Sequence, residues 1–330
     1  MKNAKKIIRI ADKTVNWLIV LCFMPLLLYG LYGLWDSRQI NQQADASLYE
    51  TYKPTAKDFI SFAELQKKNP EVIGWITVDG THIDYPLVQG EDNSKYVNTD
   101  PLGAFSLSGS IFLDCNNQKD FSDMNSIIYG HHMEKELMFG DLGHYEDEMY
   151  FNTHEYGNLY YSGQDHGVHF FAFVKADAYD NMIYNVRIAD QSEKSKYLSY
   201  VREQALYYRD LNISVEDENV RIIALSTCNS QTTNGRDVLI GVISDETYPD
   251  TFAEGETEKQ QGTARNLLEQ IPFWWYVLLE SVLIGLEITA TLRYIRKKHK
   301  NCMAVDNRAV QRQKGGEING KKPENRKYKK

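Results

Sequence analysis

Residues 15–35 (VNWLIVLCFMPLLLYGLYGLW) form a run of 21 without a single charge. About 20 apolar residues in a helix span the hydrocarbon core of a bilayer, so this stretch is expected to cross a membrane. It is longer than the apolar core of a cleaved signal peptide, and no A-x-A-like exit follows it, which points to an uncleaved anchor. A second apolar stretch at residues 271–292 carries Glu280 and Glu287. Those two acids are seven residues apart and share one helix face; acids inside a membrane mark a pairing face. Basic residues stand outside both stretches: Lys2, Lys5, Lys6, Arg9 and Lys13 before the first, and Arg293, Arg296, Lys297, Lys298 and Lys300 after the second. The bias of Lys and Arg toward the cytoplasm puts both ends inside and residues 36–270 outside.

The exterior segment is acidic, with 18 Lys and Arg against 39 Asp and Glu, a net charge of −21 within a chain of −8. Nucleic-acid binders need basic patches, so that class of partner is excluded; a lysine-bearing protein or peptide suits the charge better. Of the four cysteines, only Cys115 and Cys228 lie outside the membrane and tail. No CxxC pair suggests zinc, and His144, His154, His166 and His169 lack zinc-ligand spacing, so no metal or other cofactor is expected.

Residues 1–14 read as a cytoplasmic tail and 36–55 as a polar stalk. Phe59, Ile60, Phe62, Ala63 and Leu65 make an amphipathic helix of residues 56–68, stopped by Asn69-Pro70. Strand-like runs follow at 72–78 and 82–88, joined by the turn signal Asp79-Gly80. Further strands are expected at 109–114, 125–130, 159–163, 168–179, 220–227 and 237–244. A short helix is expected at 135–143 and a longer one at 192–210, with Tyr197, Tyr200, Val201, Ala205 and Tyr208 facing the core. Many short strands with few helices predict a mainly β fold, a closed or nearly closed barrel over residues 56–245. Residues 246–270 read as an acidic linker and 293–330 as a basic cytoplasmic tail.

Cys228 ends an apolar strand, a polar loop follows it, and Arg236 opens the next strand. His131 sits at the corresponding end of the strand at 125–130. Strand ends beside loops are where a rigid scaffold displays reactive groups. A thiol becomes a nucleophile when a base or a cation favours its thiolate, and an Arg can donate to the oxyanion that forms on an attacked carbonyl. These three suffice for acyl transfer. On spacing alone, Cys228 reads equally as a small core residue and His131 as a turn residue.

The motifs narrow this. Ala224-Leu225-Ser226-Thr227-Cys228 followed by Arg236 resembles the TLxTC…R signature of sortases, and Tyr129-Gly130-His131-His132-Met133 followed by Met138-Phe139 resembles the histidine segment of class B sortases. Gly74-Trp75-Ile76, the run from Ile83 to Gln89 and the run from Gly109 to Asp114 are also similar to that class. Ala224 stands where Thr is usual, and Asn229 where several class B members carry Asp. The resemblance implies an eight-stranded sortase barrel with a few peripheral helices, flanked by two transmembrane helices. It implies Cys228 as nucleophile, His131 as acid and base, Arg236 as third catalytic group, and Tyr129, Ser226 and Thr227 lining a peptide groove, with His132 a neighbour. The implied activity is transpeptidation without a cofactor: the thiolate attacks the Thr carbonyl of a C-terminal sorting motif on a surface protein, and a cell-wall peptide amine or a pilin lysine resolves the thioacyl-enzyme. A non-catalytic exterior receptor domain and a hydrolytic cysteine protease are the competing readings of the same residues.

Overall fold

The computed structural model describes residues 2–55, 60–214, 216–217, 219–229 and 233–252, together with residues 281, 289 and 293. The expected linker beyond residue 252, the second apolar stretch apart from residues 281 and 289, and the C-terminal tail apart from residue 293 therefore lie outside the described residues. The first is part of one long helix, α1 (Lys2–Gln43). Within it, Ile7–Gln43 forms 37 residues, long and apolar enough to cross a membrane and not buried against the protein. The helix runs past residue 35, where a polar stalk was expected. The chain then turns through two 3₁₀ segments and inserts Ala44 and Tyr49 into the folded domain. The hydroxyl of buried Tyr85 donates to the Ala44 carbonyl at 2.9 Å and accepts from the Met138 amide at 3.0 Å. One phenol thus ties the end of the long helix to the loop beyond residue 131.

α2 (Ile60–Lys68) follows, with Phe62 and Leu65 turned inward. The strands are β1 (Val72–Val78), β2 (Asp84–Val88), β3 (Ile111–Leu113), β4 (Asn125–Tyr129), β5 (Tyr156–Tyr161), β6 (Gln164–Asp177), β7 (Ala205–Tyr208), β8 (Ile222–Cys228) and β9 (Gly235–Ser244). Two further helices, α3 (Glu148–Thr153) and α4 (Gln191–Gln204), flank them. The strand order is β5-β1-β2-β3-β4-β8-β9-β6-β7, and an additional β5–β6 pairing closes eight of these strands into a barrel, leaving β7 on the flank.

Side chains alternate across the barrel wall. Ile76, Leu113, Ile128, Ile223, Leu225 and Leu239 point inward with Tyr85, Tyr161 and Phe170. Ile127, Ile222, Ala224, Val238 and Ile240 point outward and are covered by Tyr197 and Val201 of α4. Burying each Ile, Leu, Val or Phe among these is worth about 1.5–3 kcal/mol. Trp75, Val88, Phe112 and Tyr160 form a third apolar cluster beneath α2.

Two helical expectations change. The helix expected at 192–210 stops at Gln204, because residues 205–208 pair with β6; strand pairing overrides a continuous helical pattern. Residues 134–136 and 140–146 form 3₁₀ turns in place of a short helix. Lys135 and Glu136 within the first turn, and Met138 between the two, hold φ values of 62°, 62° and 54°, which the regular right-handed helix excludes.

Candidate active site

β4 and β8 run parallel, with Tyr129 paired to Ser226, and the ladder extends one step when the Gly130 amide donates to the Ser226 carbonyl at 3.1 Å. β8 and β9 run antiparallel with Cys228 opposite Arg236. Adjacent strands are about 4.8 Å apart, so Cys228 and Arg236 stand side by side at one mouth of the barrel, while His131 follows the end of β4, the strand on the other side of β8. Alternation gives Ser226 and Cys228 the outward face, with Arg236 opposite Cys228 on that face.

Each group has a distinct setting. Cys228 is exposed and unbridged. His131 Nε2 lies 2.9 Å from the Val97 carbonyl. A carbonyl only accepts, so Nε2 carries the proton and Nδ1 is left to take up and release a second one. The Arg236 guanidinium donates from Nη1 to the Gly235 carbonyl at 2.9 Å, and the Asn229 amide donates to that same carbonyl at 3.0 Å. Residues 230–232, the middle of the loop after Cys228, lie outside the described residues.

The three residues expected to line a groove occupy different places. Tyr129 is half-buried and donates to the Asp114 carboxylate at 3.0 Å; burial and that carboxylate push its pKa up. Ser226 is buried on the outward face, and its hydroxyl lies 2.9 Å from the Tyr184 hydroxyl. Thr227 is buried on the inward face, and its hydroxyl has no hydrogen-bond partner among the described residues.

Two residues that the sequence did not single out belong to the site. The Tyr184 ring stacks on Tyr129 with centroids 6.3 Å apart. Burial raises its pKa to about 12, against the opposing pull of the Ser226 hydrogen bond and the Arg236 charge. Tyr184 stands in an irregular segment between β6 and α4 with no periodicity to mark it. Asp237 follows Arg236 in β9 and is buried opposite Thr227. Burial raises its pKa, while Lys175, an Asn229 hydrogen bond and His132 pull it down. His132 itself is exposed. Among the other histidines, His144 is exposed, His166 is buried against Tyr161, and the half-buried His154 stacks between Tyr150 and Phe252.

A thiol, an imidazole and a guanidinium, once brought together, suffice for acyl transfer to and from sulfur. Away from the thiol, His82, Glu136 and Asp141 bring metal-ligating atoms within 4.8 Å of one another.

No family model matches the sequence. The chain is 35% identical to Sortase B of Listeria monocytogenes over 168 residues, which cover 51% of this chain and 67% of that protein. A class B sortase of Streptococcus pyogenes involved in pilus biogenesis superimposes with a TM-score of 0.52 at 39% identity, covering 56% of this chain and 98% of that one. Sortase B of B. anthracis, in complex with AAEK1, gives a TM-score of 0.56 at 27% identity, covering 64% of this chain and all of the other.

Proposed function

The chain belongs to the class B sortases, which are cysteine transpeptidases, and we propose that it cuts a sorting motif of the NPxTx or LPxTG type after Thr and joins the new carboxyl end to a cell-wall peptide amine. The observation that supports this is the strand register that pairs Cys228 with Arg236 and Tyr129, two residues before His131, with Ser226, two residues before Cys228. The Cys228 thiolate attacks the Thr carbonyl, and Arg236 donates to the oxygen as it becomes negative. The proton that His131 carries on Nδ1 goes to the departing amine, leaving a thioester on Cys228. An incoming amine gives its proton back to Nδ1, attacks the thioester and expels the thiolate. Tyr129 and Tyr184, stacked beside Ser226, form the aromatic floor on which the peptide lies. Thr227 acts from beneath as part of the strand that aims Cys228.

In this reading α1 anchors the enzyme, the barrel lies outside the cell, a second span occupies residues 271–292 and both termini are cytoplasmic. A second reading takes a pilin lysine as the acceptor; the 39% identity to a sortase involved in pilus biogenesis favours it. The test is to incubate the detergent-solubilised full chain with sorting peptides and a panel of amines, followed by mass spectrometry. A thioester on Cys228 and an amide product are expected, and the preferred amine decides between wall and pilus. Free acid as the sole product despite abundant amine would make the enzyme a hydrolase.

A further inference from the structure

The turn between β1 and β2 meets the loop after β4 through side chains that the transpeptidation mechanism does not use. His82 Nδ1 lies 3.2 Å from Asp141 Oδ2 and 3.5 Å from Glu136 Oε2. Asp141 is buried, and the His82 backbone amide donates to its Oδ2 at 2.6 Å, which fixes the carboxylate in place. His144 Nε2 lies 3.2 Å from the other oxygen of Glu136. His82 and Glu136 are open to solvent, so an ion has a path in.

We propose that His82, Glu136 and Asp141 bind a divalent zinc-type metal ion, with His144 holding the outer oxygen of Glu136. Tetrahedral zinc has bonds of about 2.0–2.1 Å to His nitrogen and carboxylate oxygen, which place its ligand atoms about 3.3 Å apart. The two measured separations, 3.2 and 3.5 Å, bracket that edge. One imidazole with two carboxylates is a borderline donor set that suits zinc or cobalt and leaves a fourth position for water. Binding displaces the proton from His82 Nδ1 to solvent, and the metal takes its place.

The site would act on the loop that follows His131. That loop carries Glu136 in a left-handed conformation, between Lys135 and Met138 in the same region. Its Phe139 amide donates to the His131 carbonyl at 3.0 Å. A metal joining Glu136 and Asp141 to His82 clamps the loop to the β1–β2 turn and so stiffens the backbone that holds the imidazole. The inference does not depend on the sortase chemistry.

The test uses the full chain in detergent, without tag histidines, carrying Cys228→Ala so that no active-site thiolate ligates the probe, and stripped with EDTA. Titration with Co²⁺ is expected to give an intense visible band of tetrahedral type that saturates at one equivalent, and Zn²⁺ to abolish the band and raise the melting temperature. Glu136→Gln and His82→Gln should weaken Co²⁺ binding at least about tenfold. Glu134→Gln, the same loss of charge two residues away, should leave it unchanged. Absence of the band, or a band that survives both ligand substitutions or falls equally with Glu134→Gln, overturns the site.

Discussion

Asp79 at the β1–β2 turn offers a test of the barrel's electrostatics that leaves the turn intact. Burial raises its pKa from 3.8 to about 6, the Asp250 carboxylate adds to the rise, and Lys53 opposes it. A carboxyl raised in the folded state favours folding below the unfolded pKa, and that stability is lost as the pH rises through the folded value. The rise from 3.8 to about 6 corresponds to at most about 3 kcal/mol, which solvent screening at this partly exposed carboxyl reduces to about 2 kcal/mol or less across pH 4.5 to 7.5. Asp79→Asn removes the titration and keeps a residue that suits the turn beside Gly80, whose φ is 73°. Wild type should therefore lose stability relative to the variant as pH rises. The Asn variant should melt up to roughly 4–8 °C higher at pH 7.5 and nearly level with wild type below about pH 4, taking 2–4 °C per kcal/mol for a domain of this size. Thermal melts of both full chains in detergent across that range check it. A constant gap in melting temperature, or an Asn variant that is less stable at neutral pH, would refute the reasoning.

Cys228→Ala should remove both thioester and product by mass spectrometry, since among the described residues of the barrel Cys228 is the exposed thiol. Arg236→Ala should lower kcat by about 10²–10³-fold with thioester formation as the affected step, the usual cost of losing one oxyanion donor. Gly130→Ala should destabilise the domain by about 1–3 kcal/mol, because its new Cβ would fall 2.6 Å from the Ile111 side chain and 2.7 Å from the Phe139 ring. It should also reduce kcat, because Phe139 is hydrogen-bonded to His131. Tyr184→Phe leaves the buried Ser226 hydroxyl without its partner and should cost about 1–3 kcal/mol in thermal or chemical denaturation.

Strands were legible where their apolar pattern was unbroken: residues 72–78 are β1, and Cys228 stands at the end of the run that became β8. Cys228 and Arg236 lie on strands whose apolar pattern was readable, and His131 directly follows one, so the sequence motif and the strand pattern point to the same barrel mouth. Tyr184 was not, because its place depends on contacts with Tyr129 and Ser226 that no local pattern records. Asp237 resembled any polar strand residue until its pairing with Thr227 put it inside the barrel end. The 205–208 segment misled because Ala, Leu and Tyr at helical spacing continue α4 equally well; only the edge of β6 decides for a strand.

The parallel pairing of β4 with β8 is what makes the site possible. Antiparallel neighbours joined in a hairpin bring the end of one strand to the start of the next, which accounts for Cys228 meeting Arg236 across a short loop. Two strand ends reach the same mouth only when the strands run in the same direction, and parallel strands need a long connection. Here that connection runs from residue 130 to 221 and includes β5, β6, α4 and β7. It supplies both the strand that closes the barrel against β5 and the segment bearing Tyr184. A deletion within this connection that leaves every motif residue in place should therefore abolish thioester formation together with barrel closure, whereas changes in the 230–235 loop should alter the rate without unfolding the domain.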